Sequence, residues 1–261
     1  MSLAFTSHGP ADAPTIVFLH GGGIGGWMWR KQVAAFEGDY HCLAPTLPEQ
    51  GGTTEGGEFT ISNATTQVAE LIHKHAHGGT AHVVGLSLGA QVGVALLAVA
   101  ARLLQRSLLS GALARPLPGA GLMAASVKLY DPIKNWDVMI RANFKSLGLP
   151  DEYYADFAAD TRATNSAALA RILQANMAFK LPPISAGLAL PVLFTVGQKE
   201  LGVMKRSARM LSGSMLGGQA AQVRGQGHNW PLQAPELFNR VLRAWLNDAP
   251  LPPELEAVPR R

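Results

Sequence analysis

The sequence predicts an α/β fold in which a mostly parallel sheet carries helices on both faces. Short, almost wholly apolar runs alternate with longer segments of helical period, the pattern of strands buried on both sides. The alternation stops in mid-chain, gives way to proline-punctuated helical segments, and then resumes. An insertion of that kind between two strands of one sheet predicts a cap over the strand ends.

Taken in order, residues 3–6 suit a short edge strand. Thr15-Ile16-Val17-Phe18-Leu19 is a compact β-branched and aromatic run that ends at a glycine cluster, which reads as a buried strand. Residues 27–36 follow as helix and 41–44 as strand, the latter broken by Pro45 and Pro48. A polar loop at 51–57 precedes a helix over 62–75, with Ala64, Val68, Leu71 and Ile72 on one face. Residues 81–86 read as strand, 88–104 as helix and 107–112 as strand. The pattern resumes with strand 192–196, helix 204–211, strand 220–224 and helix 235–246. Between the halves, prolines at 116, 118, 132, 150, 182 and 183 separate helical segments such as 136–147, 151–161 and 166–179. The division expected is a core of residues 1–113 and 191–248, a helical cap over 114–190, and a Pro-rich tail over 249–261 that frays and ends in Arg260 and Arg261.

Composition narrows the classes. With 48% hydrophobic and 15% charged residues over 261 positions, the chain fills a large core and is not a disordered polymer. Its net charge of +4 is scattered, and Lys205, Arg206 and Arg209 form one exposed helix face. No basic stripe interleaved with aromatics is present, so no nucleic-acid partner is expected. The longest apolar stretch, 92–104, is interrupted by Gly93 and Arg102 and falls short of the roughly 20 residues that cross a bilayer, so no membrane association is expected. Cys42 is the only cysteine, sits in a predicted strand and reads as a buried inert thiol. With no signal-peptide pattern at the N-terminus, the expectation is a cytoplasmic protein.

Chemistry enters at Gly85-Leu86-Ser87-Leu88-Gly89, a G-x-S-x-G match placed between a predicted strand and a predicted helix. A serine there projects from a sharp strand-to-helix turn, and the flanking glycines let strand and helix approach. The bland alternative is an N-cap serine in a glycine turn. The helix N-terminus beneath Ser87 sets a positive dipole end where an oxyanion would form.

A tetrahedral intermediate needs two convergent N–H donors. Leu88 is the candidate for one. The loop His20-Gly21-Gly22-Gly23, directly after the first strong strand, offers the other, with Gly22 the first choice and Gly23 the second. The same stretch spells G-x-G-x-x-G through Gly21, Gly23 and Gly26, a dinucleotide signal. The acid that should close the next strand is missing, since that strand ends Leu43-Ala44-Pro45-Thr46.

His228, in Gly225-Gln226-Gly227-His228-Asn229-Trp230-Pro231 between a predicted strand and a helix, is the candidate general base. The other histidines fall in tails, helices, strand interiors or, for His20, the oxyanion loop in a structural role. Glu200, just after the strand 192–196 and before His228 in the chain, is the candidate acid, with Asp131 and Asp137 in reserve.

Together these residues resemble the α/β-hydrolase superfamily over nearly the whole chain. The resemblance implies an eight-stranded or slightly shortened, mostly parallel sheet, a helical cap after the sixth strand, and a serine-histidine-acid triad that needs no metal or cofactor. Two departures stand out. Glu200 stands where most relatives carry aspartate, and Thr46, Glu49 and Gln50 replace an aspartate and a Gly-His pair, so hydrogen bonding in that loop must differ. The serine at the elbow argues against the dehalogenase and epoxide-hydrolase branches.

The insertion is rich in large apolar side chains, among them Met123, Tyr130, Trp136, Phe144, Tyr153 and Phe157. As a set they suggest an apolar roof, although any single one fits the cap's own core. Gly23, Trp27, Met28 and Trp230 are expected to line the cleft. The function expected is hydrolysis of a small, largely apolar ester, thioester or lactone, with a small acyl molecule as the partner. A receptor-like ligand-binding protein on the same fold, and a C–C bond hydrolase or lyase, stay open as alternatives.

Overall fold

A computed structural model describes residues 3–53 and 55–259, leaving aside the side chains of residues 120, 123–125 and 128; Arg260, Arg261 and the side chain of Met123 thus lie outside the described residues. Eight strands form one sheet: β1 (Phe5–His8), β2 (Thr15–Leu19), β3 (His41–Pro45), β4 (Ala81–Leu86), β5 (Leu104–Ser110), β6 (Val192–Gly197), β7 (Gly218–Val223) and β8 (Leu255–Ala257). Their spatial order is β1-β3-β2-β4-β5-β6-β7-β8. The six central strands run parallel, and β1 and β8 close the two edges antiparallel.

The helices are α1 (Arg30–Phe36), α2 (Ile61–His75), α3 (Leu88–Val99), α4 (Ala120–Tyr130), α5 (Asp137–Ser146), α6 (Tyr154–Ala163), α7 (Ser166–Met177), α8 (Gly202–Ser212), α9 (Trp230–Gln233) and α10 (Pro235–Leu246). Among the described residues, no helix is long and apolar enough to cross a membrane.

Strand alternation divides the core in two. In β2, Val17 and Leu19 pack with Val68 and Ile72 of α2, Val92 of α3 and Leu211 of α8. Ile16 and Phe18 pack on the opposite face with Trp29, Phe36 of α1, and Phe238 and Trp245 of α10. Each strand residue therefore meets a helix layer, which is why β2, β3, β4 and β6 are buried along their whole length.

Three details differ from the sequence expectation. The helix expected to run to 104 ends at Val99; a 3-10 turn at Ala101–Leu103 follows, and β5 already begins at Leu104, paired with Ala81. The apolar run continues through both elements, and apolar content alone cannot place the boundary. Over its described residues the tail does not fray: residues 255–257 pair with β7, the Arg224 N–H donates to the Glu254 carbonyl at 2.8 Å, and Val258 is buried. Its prolines flank the paired residues, as an edge strand tolerates. The helical insertion, which contains α4–α7, follows the fifth strand and not the sixth, because only one strand precedes β2 and the count is completed by the tail.

Candidate active site

Ser87 sits between β4 and α3 with φ 54° and ψ −114°, a conformation that costs a non-glycine residue on the order of 1–3 kcal/mol. Its surroundings hold it there. The Ser87 N–H donates to the Ser110 carbonyl of β5 at 2.8 Å, and the Ser87 carbonyl accepts from the Gln91 N–H at 3.0 Å. A Cβ at Gly85 would lie 2.8 Å from the Ala90 backbone, and one at Gly89 would lie 2.2 Å from the Leu19 carbonyl oxygen. Any larger residue at either position would push strand and helix apart and relax the turn.

His228 follows β7 and leads into α9. Its Nδ1 is 2.6 Å from Glu200 Oε2, and the Glu200 side chain is only 4% exposed. Glu200 Oε1 accepts the Gly197 N–H at 2.7 Å, so both carboxylate oxygens are engaged and the side chain has one orientation. An ionised carboxylate only accepts, which puts the imidazole proton on Nδ1 and leaves Nε2 with its lone pair. The ring lies against Gly111, where a Cβ would come within 2.6 Å of His228 Cε1. Gly111 directly follows Ser110, the residue that holds the Ser87 backbone. The imidazole and the elbow thus share one corner at the C-terminal ends of β4 and β5, the edge at which open α/β sheets place their sites.

The loop of residues 20–23, the candidate oxyanion loop, has three successive glycine N–H groups, and two are occupied. Gly21 donates to Met28 Sδ at 3.4 Å and Gly23 to Gln50 Oε1 at 2.7 Å. Among the described residues the Gly22 N–H meets no acceptor. Leu88, the first residue of α3, has no partner within its helix. A Cβ at Gly22 would lie 3.4 Å from Leu88 Cδ2, so the two free donors belong to neighbouring residues. His20 fixes this loop: its Nε2 accepts the Leu47 N–H at 2.8 Å, and its Nδ1 donates to the Gly21 carbonyl at 2.7 Å. Burial lowers its pKa to about 4, so it acts as a neutral staple.

The loop in which Thr46, Glu49 and Gln50 depart from the family pattern is bonded differently, as those departures imply. Gln50 orients the oxyanion loop, while Glu49, held at φ 60°, reaches the cap. Its carboxylate accepts from Arg171 Nε at 2.9 Å and again from Arg171 Nη2, and also from the Phe59 N–H at 2.8 Å. Arg171 holds the Glu49 carboxyl below the usual glutamate range.

Of the four residues expected to line the cleft, Gly23 borders a cavity beside the loop and the other three do not. Met28 and Trp230 are fully buried; Met28 backs the oxyanion loop, and Trp230 Nε1 donates to Ser110 Oγ at 2.9 Å. Both pack beneath the site because a large apolar side chain in a glycine-rich loop is drawn into the core beside it. Trp27 donates to Asp160 Oδ2 at 2.6 Å and faces a separate hollow of about 610 Å³ bounded by β1 and β3. A cavity of about 270 Å³ lies between the oxyanion loop and the cap, lined by Gly22, Gly23, Tyr130, Phe157, Leu169 and Leu173 together with Lys134, Asn143, Thr161 and Thr164. Its wall is mixed rather than the largely apolar roof expected. Sequence reasoning passed over Lys134, Gly111 and Thr164, and flagged Gln50 only as a departure without its partner, because their contacts leave no local motif.

Comparison with known proteins agrees with this architecture. The model of the alpha/beta hydrolase family matches residues 16–241. A curated AB hydrolase superfamily protein of Gibberella zeae is 24% identical over 99% of this chain and 88% of its own length. Among solved structures, a thermophilic esterase from Thermogutta terrifontis superposes with a TM-score of 0.75 at 19% identity, covering 94% of this chain and 93% of its own. The enol-lactonase from Burkholderia xenovorans LB400 does so with a TM-score of 0.75 at 23% identity, covering 94% and 96%. At these identities the structural likeness is one of fold. The match over residues 16–241 settles the family: the chain belongs to the alpha/beta hydrolases.

Proposed function

We propose that this member of the alpha/beta hydrolase family cleaves a small ester, thioester or lactone through an acyl-Ser87 intermediate. The observation that carries the reading is the His228–Glu200 pair at 2.6 Å, with its ring set on Gly111 beside the strained serine. That pairing leaves Nε2 free to take the Ser87 hydroxyl proton as Oγ attacks the substrate carbonyl. Negative charge then develops on the carbonyl oxygen, and the Gly22 and Leu88 N–H groups are the donors still free to receive it. His228 returns the proton to the departing alcohol or thiol. A water molecule, deprotonated by the same imidazole, attacks the acyl carbonyl and releases the acid and Ser87. Glu200 stays ionised throughout and stabilises the imidazolium at each proton transfer.

The esterase and the enol-lactonase among the structural neighbours lend support to acyl chemistry of this kind. Hydrolysis of 4-nitrophenyl acetate and butyrate by wild type and Ser87→Ala tests it. The expected result is a fall in kcat of roughly 10³-fold or more in the variant, with its fold intact by circular dichroism. Undiminished turnover by Ser87→Ala would remove Ser87 from the chemistry.

A further inference from the structure

We propose that the cavity between the oxyanion loop and the cap binds a carboxylate at the far end of the substrate's acyl group, with Lys134 as its counter-ion. This rests on the acyl-Ser87 reading and names the substrate class for it. Lys134 is 5% exposed and lines the cavity together with Gly22 and Gly23. Its ammonium donates to the Thr164 carbonyl at 2.9 Å and to Asn135 Oδ1 at 3.1 Å, and a third N–H remains. Among the described residues, no carboxylate lies within 4.0 Å of Lys134 Nζ.

A lysine buried without an anion is disfavoured by desolvation. Thr164 caps the C-terminus of α6, so the helix dipole offers partial compensation and no more. The polar groups around it are also underused. Thr164 Oγ1 is buried with no partner, and Thr164 itself is 5% exposed. Tyr130 Oη accepts from Asn143 Nδ2 at 2.6 Å, which leaves its own hydroxyl hydrogen to donate. One cation and several neutral donors suit a monoanion; a phosphate would call for a second cation, and among the described residues Lys134 is the only charged one lining this cavity. The position selects the acyl side. The cavity is lined by Gly22, whose N–H would receive the carbonyl oxygen, while Ser87, Leu88 and His228 lie outside its lining, so the group that enters it is the one that extends past Gly22 from the acyl carbon.

The test compares kcat/KM for mono-4-nitrophenyl glutarate and 4-nitrophenyl pentanoate in wild type, Lys134→Met and Lys134→Arg. A parallel titration follows free glutarate binding to the Ser87→Ala protein by calorimetry. Because each variant supplies its own ratio of charged to neutral ester, a loss of folded protein cancels. The expected outcome is a ratio well above one in wild type that falls by about 10- to 100-fold in Lys134→Met and is partly kept in Lys134→Arg. Equal or reversed preference in wild type would overturn the carboxylate assignment and leave Ser87 hydrolysis standing. So would a Lys134→Met protein that is less stable but keeps the ratio, since the lysine would then serve the cap alone. Glutarate binding with no turnover of either ester would uphold the site and remove the hydrolytic reading. Neither binding nor turnover would end both.

Discussion

At the scale of single residues, the site works by restricting choices. Ser87 is held in a conformation that few residues adopt, and Glu200 has no free oxygen. The extra methylene of glutamate relative to the family's usual aspartate is absorbed by a turn in which the Glu200 N–H bonds back to the Gly197 carbonyl at 3.1 Å. Glu200→Gln presents an amide to Nδ1 and favours the wrong imidazole tautomer; kcat should fall by roughly 10³- to 10⁴-fold with little change in KM. Glu200→Asp keeps the charge but withdraws it by about an ångström, and a loss nearer 10²-fold is expected. Steady-state kinetics on both variants read the difference, and an undiminished kcat in Glu200→Asp would show that the carboxylate's reach is immaterial. These residues were legible because each stands in a short local pattern: a glycine-flanked serine, a glycine-flanked histidine, an acid after a strand. Lys134 and the partner of Gln50 were not. A buried lysine and a solvated one look alike in sequence, and the bond from Gln50 to Gly23 joins positions 27 residues apart.

At the scale of elements, the helical insertion is tied to the sheet and its helices by polar contacts as well as by packing. Arg171 of α7 grips Glu49, Arg30 donates to Asp156 of α6 at 2.6 Å, and Gln91 of α3 donates to the Asn176 carbonyl at 3.1 Å. Arg171 depresses the Glu49 pKa from the ordinary 4.5, so its contribution to stability is complete above that value. The contribution is lost as pH falls through the lower folded-state value. Arg171→Met should therefore cost about 1 kcal/mol at pH 7, after allowance for partial solvent exposure. The gap between variant and wild type should narrow as pH falls below the ordinary glutamate value and close once it is below the lowered folded-state one. Urea midpoints across that range provide the measurement; a gap that stays constant would place the contribution in packing. The helices of the insertion were legible from their spacing, whereas the latch was hidden because Glu49 and Arg171 meet only after the cap folds back.

At the scale of the whole molecule, the sheet converts distant sequence into a local site. Six parallel strands, four of them buried along their whole length, end along one edge, and the segments with Ser87, Glu200 and His228 emerge from β4, β6 and β7 there. The alternation of apolar runs with helical spacing made this architecture readable. The last strand was not, because three residues among prolines carry no strand signal of their own and gain order only by pairing with β7. On the proposed reading, this convergence makes Ser87 a nucleophile activated by His228. Reaction with a fluorophosphonate, followed by intact mass and peptide mapping, tests it most directly. One adduct on the peptide that contains Ser87 is predicted, absent in Ser87→Ala and formed far more slowly in His228→Ala. An unmodified protein, or an adduct at any other residue, would contradict it.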